Sequence, residues 1–411
     1  MNSAAKSLRI LYVTPFWPYK GITGVHIRCL NVLRALQQIG DVEVVFLGDE
    51  YLKGVQARQP GVEVKVAHIL ELTPRPNRGL LHKLRWTFDP ASNYPYGWGV
   101  GQEGMDRVLR ELDLFDLIWF FKPRAADMFP NAVWPRSVLD IDDVPSAFEH
   151  TDLQTARGPI DRLMTLRRLY TWTRRDKLLG ERFTVLSVCS EEDKKLLRRL
   201  GLTVPIHVIP NGFDAPLDKP PRRAAAPPRI GFIGQFEYFP NREGIRWFLD
   251  KCWPDIKSAV PDARLRLVGP GSDGLIQGHD PDAEVLGWVA DPSEEMQTWA
   301  LMAVPIHVGG GTRVKIAQAF SQRCPVVSTR LGAYGYDVQD GIEMYLADSP
   351  AAFSNACIKA IREPEKTAQM AERAWCEYLK KWTWEAIYPR IWEAAENCLS
   401  LSRQTTRTPV E

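Results

Sequence analysis

The chain has 411 residues, too many for one ordinary core, so two domains are expected. Its 52 basic and 50 acidic side chains leave a formal charge of +2, which argues against a general nucleic-acid binder while leaving room for a local basic patch. The seven cysteines are scattered, odd in number and never spaced C-x-x-C, which disfavours a disulfide framework or a zinc site and suits a reducing cytoplasm.

The start, "MNSAAKSLRILYVTPFWP", reads as a first strand and not as a signal peptide, because its apolar run is short. Nowhere do about 18 apolar residues run together, so no membrane span is expected. "RILYVT" is followed by "GVHIRCLNVLRALQQIG", a helix with Leu30, Val32, Leu33 and Leu36 on its repeating face and Gly40 as its stop. "DVEVVFLG", "LFDLIWFF", "SVLDID", "FTVLSVCS" and "IHVIPNG" read as further strands. Strands alternating with helices predict a parallel sheet covered on both faces.

From Asp214 the pattern stops. "APLDKPPRRAAAPPR" holds five prolines and no apolar period, so it reads as a linker. Alternation then restarts with "IGFIG", the helix "REGIRWFLDKCWPDI", "ARLRLVG", "AEVLGWV", "LMAVPIHV", "CPVVST" and "MYLA". The expected architecture is α/β: two doubly wound Rossmann-like domains facing a cleft, with ligands off the carboxyl ends of the strands.

"PIHVGGGTRVKIAQAF" carries the clearest chemistry. His307 and Val308 should end a strand, and Thr312 or Arg313 should begin a helix. Gly309, Gly310 and Gly311 let backbone amides approach a ligand closely. A helix start favours anions. Arg313 suits bidentate phosphate contact and Lys315 adds a point charge. The set fits a diphosphate, although a tight turn with two solvated cations would have the same sequence. The Walker A spacing is missing. "LVGPGSDG" matches G-x-G-x-x-G, with Asp291 at roughly the distance of a ribose contact, but Gly278 and Pro281 break the required helix. A glycine-rich turn is the simpler reading.

Taken together and in this order, "ILYVTPFWPYKGITGVHIR", "HVIPNGFD", "IGFIGQFEYFPNREGIRWF", "RLRLVGPG", "VLGWVAD", "PIHVGGGTRVKIAQAF" and "CPVVSTRLGAYG" resemble the retaining GT-B glycosyltransferases of family four, the glycosyl transferases group 1. The resemblance covers nearly the whole chain. It implies an acceptor-side domain over residues 1–215 with a returning segment 384–411, a linker at 216–228, and a nucleotide-sugar domain at 229–383. Carried over by position, Arg313 and Lys315 hold the donor diphosphate with Gly309, Gly310, Gly311 and Thr312. Gly234, Gly287, Trp288, Val289 and Gln318 join the donor set, with the 287–289 segment meeting the nucleobase. Gly21 and Gly24 let the first-domain loop approach the diphosphate or the sugar. The family often has two glutamates eight positions apart in the diphosphate segment. Here the first falls on glycine and the second on Gln318, which can still bond ribose hydroxyls. An Arg/Lys pair common early in the donor domain is replaced by Gln235 and Glu237.

Asp140, Asp142 and Asp143 follow a strand. Asp-x-Asp could bind a divalent ion, but the resemblance favours no metal. Asp142 stands where the family often has a histidine and could orient or deprotonate an acceptor hydroxyl. A cap or salt bridge is the alternative. His26 and Trp98 are further acceptor-side candidates, Trp98 within the aromatic run that also holds Trp86, Tyr94 and Tyr96. The basic stretch Arg157, Arg162, Arg167, Arg168, Arg174, Arg175 and Lys177 reads as a solvated helix face, with docking on an anionic membrane as the alternative.

The implied activity is transfer of a sugar from a UDP- or GDP-linked donor to a hydroxyl, with retention, without metal or cofactor, in the cytoplasm or against the inner face of its membrane. The acceptor would be a glycan, a lipid-linked sugar or a small molecule. An epimerase or phosphorylase of the same fold and an inert nucleotide-sugar binder are the alternatives. Oligomeric state is not legible.

Overall fold

The structure is a computed structural model describing residues 7–19, 23–48, 61–74, 98–129, 132–156, 158–272 and 282–405. The chain forms two compact units, Met1–Pro210 with Ile387–Glu411, and Asn211–Ala386.

Among the described residues, unit 1 holds an eight-stranded sheet. Its strands are β1 (Leu8–Thr14), β2 (Gly40–Gly48), β3 (Lys65–Pro74), β4 (Trp98–Val100), β5 (Leu117–Phe121), β6 (Trp134–Asp142), β7 (Phe183–Val188) and β8 (Ile206–Val208). Their order is β4-β3-β2-β1-β5-β6-β7-β8, parallel except where β4 meets β3. The central strands are continuous apolar runs because helices cover both faces; every residue of β5 is buried. Helix α1 (Gly24–Gln37) buries Cys29, Leu30, Val32, Leu33 and Leu36 as expected, together with Arg28. It ends before Gly40, which instead opens β2. There a Cβ would lie 2.5 Å from the Leu8 carbonyl oxygen. The strand pairing, not a helix stop, requires that glycine.

Among the described residues, the other unit 1 helices are α2 (Gln102–Glu111), α3 (Pro123–Asp127), α4 (Pro145–Thr155), α5 (Pro159–Arg182) and α6 (Glu191–Arg199). Proline opens α3, α4 and α5, where its missing N–H costs nothing. Ser190 caps α6 by accepting from the Asp193 amide at 3.0 Å.

Unit 2 holds β9 (Arg229–Ile233), β10 (Arg264–Val268), β11 (Ala283–Gly287), β12 (Leu301–Val304), β13 (Val326–Ser328) and β14 (Tyr345–Leu346). They form a parallel sheet in the order β11-β10-β9-β12-β13-β14. Its helices are α7 (Phe239–Lys251), α8 (Trp253–Ala259), α9 (Ser293–Thr298), α10 (Val314–Ser321), α11 (Pro350–Arg362) and α12 (Pro364–Lys381). The single helix expected through Pro254 is two, broken at Cys252, with Pro254 taken into the first turn of α8. The strand expected to reach Val308 stops at Val304, since Pro305 has no N–H for the ladder. The last helix, α13 (Trp384–Thr405), begins in unit 2, and from Ile387 it belongs to unit 1. There Trp392 Nε1 donates to the Ala35 carbonyl at 2.9 Å and Tyr388 Oη to Asn31 Oδ1 at 2.9 Å.

The proline-rich stretch is strapped to unit 2. The Arg223 and Ala225 amides donate to the carbonyls of Gln297 and Thr298 at 3.1 and 2.9 Å. Arg222 donates to the Met296 carbonyl at 2.9 Å and also bonds Trp299.

In each sheet the strand order reverses once. The reversal lies between β1 and β5 in unit 1 and between β9 and β12 in unit 2. Open parallel sheets bind ligands at the carboxyl ends of the strands flanking such a point.

Candidate functional site

In unit 2 the loops after β9 and β12 flank the reversal. Gly309 and Gly311 take φ of +119° and +70°, conformations that side chains resist. The helix then starts at Val314, with Arg313 as its N-cap, not at Thr312. Arg313 folds back on its own loop: Nη1 donates to the Gly311 carbonyl at 2.6 Å and also bonds Gly310. Its Nε and Nη2 are buried without a partner, as are Thr312 Oγ1 and His307 Nε2. Buried polar atoms are normally satisfied, so four such atoms along one seven-residue loop need an explanation. Tyr336 fixes the loop's exit by donating to the Arg313 carbonyl at 2.9 Å.

Lys315 reaches from α10 to α7, where Nζ donates to Asn241 Oδ1 at 2.8 Å and lies 4.2 Å from the centre of the Phe232 ring. Asn241 in turn donates to the Gln235 carbonyl at 2.8 Å. Gly234 makes room for this pair, since a Cβ there would lie 2.7 Å from Asn241 Nδ2 and 3.0 Å from Lys315 Nζ. Burial, helped by the charge of Arg313, pulls the Lys315 pKa down to about 7. An enclosed ammonium facing an arginine, and no carboxylate among the described residues, is poised to receive an anion.

The neighbouring strand ends close the same rim. The Gly234 amide donates to the Val268 carbonyl at 2.9 Å, and the Gly269 amide to the Gly287 carbonyl at 2.6 Å. Gly287 turns at φ +63° and leaves Trp288 59% exposed beside half-buried Val289. Gln318 is half-buried about one turn beyond Lys315 on α10. Of "LVGPGSDG", Leu267 to Ser272 form the end of β10 and its turn, and the remainder lies outside the described residues.

The Lys315 value gives a pH signature. Its folded pKa, about 7, is below its ordinary 10.5, so the unfolded chain holds more protons between these values. Stability contributed by this group therefore rises with pH from about 7 to 10.5. A bound diphosphate should restore the proton. Titration calorimetry in buffers of different ionisation enthalpy should show uptake of nearly one proton per nucleotide at pH 8 and little at pH 6, from the value of about 7. Buffer-independent heats at pH 8 would refute it.

In unit 1 the loops after β1, β5 and β6 carry the polar groups. Arg28 is completely buried. Its Nε and Nη2 donate to Asp140 at 3.0 and 2.7 Å, and its Nη1 to the carbonyls of Ile209 and Pro210 at 2.9 and 3.3 Å. Burial alone would lower its pKa, but Asp140 and Asp142 more than offset that, and the net shift is upward. Lys122, directly after β5, lies 2.6 Å from Asp142 Oδ2 and 3.4 Å from Asp143 Oδ2. Lys122 and Asp142 take φ of +71° and +58°, strained for these residues. Strain held at two adjacent strand ends is typical of functional sites.

Ligand atoms of Asp142, Asp143 and Cys189 fall within 4.8 Å of one another. The group does not fit a divalent ion well. The Lys122 ammonium already faces both carboxylates, and burial pushes the Cys189 thiol well above its usual range. Asp142 is ion-paired and only 6% exposed at its side chain, whereas Asp143 is 45% exposed. Asp142 thus suits positioning better than proton abstraction. Gly24 opens α1, and Gly21 lies outside the described residues. His26 Nδ1 meets Thr23 Oγ1 at 2.5 Å, and its ring packs on Tyr19 and Phe16 with centroids 4.7 and 5.7 Å away. Trp98 pairs with Pro74 at the sheet edge, three strands or about 14 Å from β1. The backbone therefore sets it apart from His26 and Asp143. Trp86, Tyr94 and Tyr96 lie outside the described residues.

Four groups escaped the sequence reading: Lys122, Arg28, Asn241 and His307. The first two left a trace, a lysine ending the buried strand "LIWFF" and an arginine inside the apolar stripe of α1.

Residues 227–363 match the family model for glycosyl transferases group 1. An alignment 137 positions long, covering 31% of this chain and 35% of the other, is 25% identical to an uncharacterized 44.6 kDa protein of the cps region of Klebsiella pneumoniae. The fold is similar to that of Anabaena HepE in complex with UDP and glucose, at TM-score 0.63 and 17% identity over 95% of this chain and 99% of that one. Sucrose-phosphate synthase from Thermosynechococcus elongatus gives 0.64 at 15% identity, covering 97% and 99%. Residues 227–363, a third of the chain, thus match the group 1 glycosyltransferase model, and the two α/β units share the GT-B fold of these structures.

Proposed function

We propose that the chain transfers a sugar from a nucleoside diphosphate donor, UDP- or GDP-linked, to an acceptor hydroxyl, with retention and without a metal. The observation that carries the nucleoside diphosphate donor is the set of buried, unpartnered polar atoms of His307, Thr312 and Arg313 beside the Lys315 ammonium. A diphosphate would satisfy the donors among them and supply the missing negative charge. Arg313 and Lys315 would then stabilise the leaving diphosphate, and Gln318 and the Gly287–Val289 segment would meet the ribose and base. In unit 1, Lys122 would position Asp143, and Thr23 with Tyr19 would position His26, toward the acceptor, a glycan, lipid-linked sugar or small molecule. All seven cysteines are free thiols, which suits work in the cytoplasm.

A thermal-shift screen of UDP, GDP, TDP and their sugars should identify the base. NMR of the product's anomeric centre then reads retention, and activity in EDTA reads metal independence. Donor binding with neither transfer nor hydrolysis across an acceptor panel would sink the transferase reading and favour an inert binder.

A further inference from the structure

Helix α5 is inverted relative to an ordinary surface helix. Apart from Leu179, the residues it buries are polar: Thr165, Thr171, Arg175 and Asp176. Arg175 pairs with Asp127. Arg168 leans back onto Glu149 at 2.8 Å and Asp152 at 2.6 Å. The opposite side carries Leu163, Leu166 and Tyr170, which are 67%, 43% and 49% exposed. At about 100° per residue these three form one stripe. In the first turns Ile160 and Met164 are also exposed, at 79% and 45%. Solvent-facing apolar residues scattered singly need no explanation, but a continuous helical ridge does.

Its charge identifies what covers it. Arg162, Arg167, Arg174 and Lys177 flank the stripe, and Arg174 lies over the Tyr170 ring at 5.6 Å. Between Arg162 and Lys177 the helix has one carboxylate, Asp176, and that one is buried on the inner face. Asp161 falls about 180° from the stripe. An apolar ridge bordered by cations alone has the build of a helix lying in the interface of an anionic bilayer. The ridge would enter the boundary between headgroups and acyl chains, and the arginines would reach lipid phosphates. No helix among the described residues is long and apolar enough to cross a membrane, so the attachment would be peripheral.

We propose that α5 docks this enzyme on an anionic lipid surface through Ile160, Leu163, Leu166 and Tyr170, with Arg162, Arg167 and Arg174 on the headgroups. Flotation of the full chain tests it, comparing phosphatidylcholine vesicles with vesicles containing about 30% phosphatidylglycerol. The chain should float with the anionic vesicles only, and raising salt to about 0.5 M should weaken binding at least about fivefold. Leu163→Asp with Leu166→Asp should lower binding about tenfold or more, while melting stays near wild type because both side chains face solvent. Arg162→Glu with Arg174→Glu should remove the preference for anionic lipid and leaves the ridge intact. Wild-type chain that ignores anionic vesicles, or variants that bind as well as wild type, would overturn the proposal. So would self-association lost on Leu163→Asp with Leu166→Asp in a chain that binds no vesicles, since the ridge would then face a second copy.

Discussion

Arg313→Ala combined with Lys315→Ala should reduce kcat/KM for sugar transfer by about a hundredfold to ten-thousandfold. Hydrogen bonds to charged groups contribute about 1.5–3 kcal/mol each, and in the proposed reaction both cations would face charge that grows as the diphosphate leaves. The fold should tolerate the change. Among the described residues the Arg313 side chain bonds its own loop, and Lys315 meets only neutral partners, Asn241 and the Phe232 ring. Removing an enclosed ammonium with no carboxylate beside it among the described residues should even raise the melting temperature slightly below about pH 7. A variant that retains wild-type turnover would remove both residues from the reaction.

Arg28→Ala should destabilise the chain by about 3–5 kcal/mol, because it strands the buried Asp140 carboxylate. For a unit of this size that lowers the melting temperature by about 10 °C. The same guanidinium lies 3.9 Å from Asp142, so surviving protein should also lose acceptor binding. Arg28→Met with Asp140→Asn, which removes both charges together, should recover much of the stability. Thermal melts of the three proteins check this, and a loss below about 1 kcal/mol in Arg28→Ala would show that Asp140 is satisfied by other groups such as Ser187.

The strands that were legible are those with unbroken apolar runs, such as "LIWFF", because burial on both faces leaves no alternation to misread. β3 was not legible. Near the sheet edge it alternates, and Val66 and Ile69 stay 37% and 46% exposed. Prolines were misjudged in position more than in kind: Pro254 starts a helix and Pro305 ends a strand. At the candidate site, the glycines and cations of the β12–α10 loop were legible because they are contiguous. The partnership of Lys315 with Asn241 spans 74 residues, and that of Arg28 with Asp140 spans 112. Such pairs exist only through strand order, which places β9 beside β12 in unit 2 and β1, β5 and β6 side by side in unit 1. The ridge on α5 was hidden for a different reason. A basic, mixed sequence looks like a solvated face until burial shows that its polar residues point inward.

The central claim is that the loop from His307 to Lys315 seats a nucleoside diphosphate. Titration calorimetry of UDP and GDP against uridine and guanosine tests it most directly. One diphosphate should bind, its nucleoside should bind about a hundredfold more weakly, and Arg313→Ala with Lys315→Ala should erase that difference. Equal affinity for diphosphate and nucleoside, or a difference that survives loss of both cations, would contradict the account.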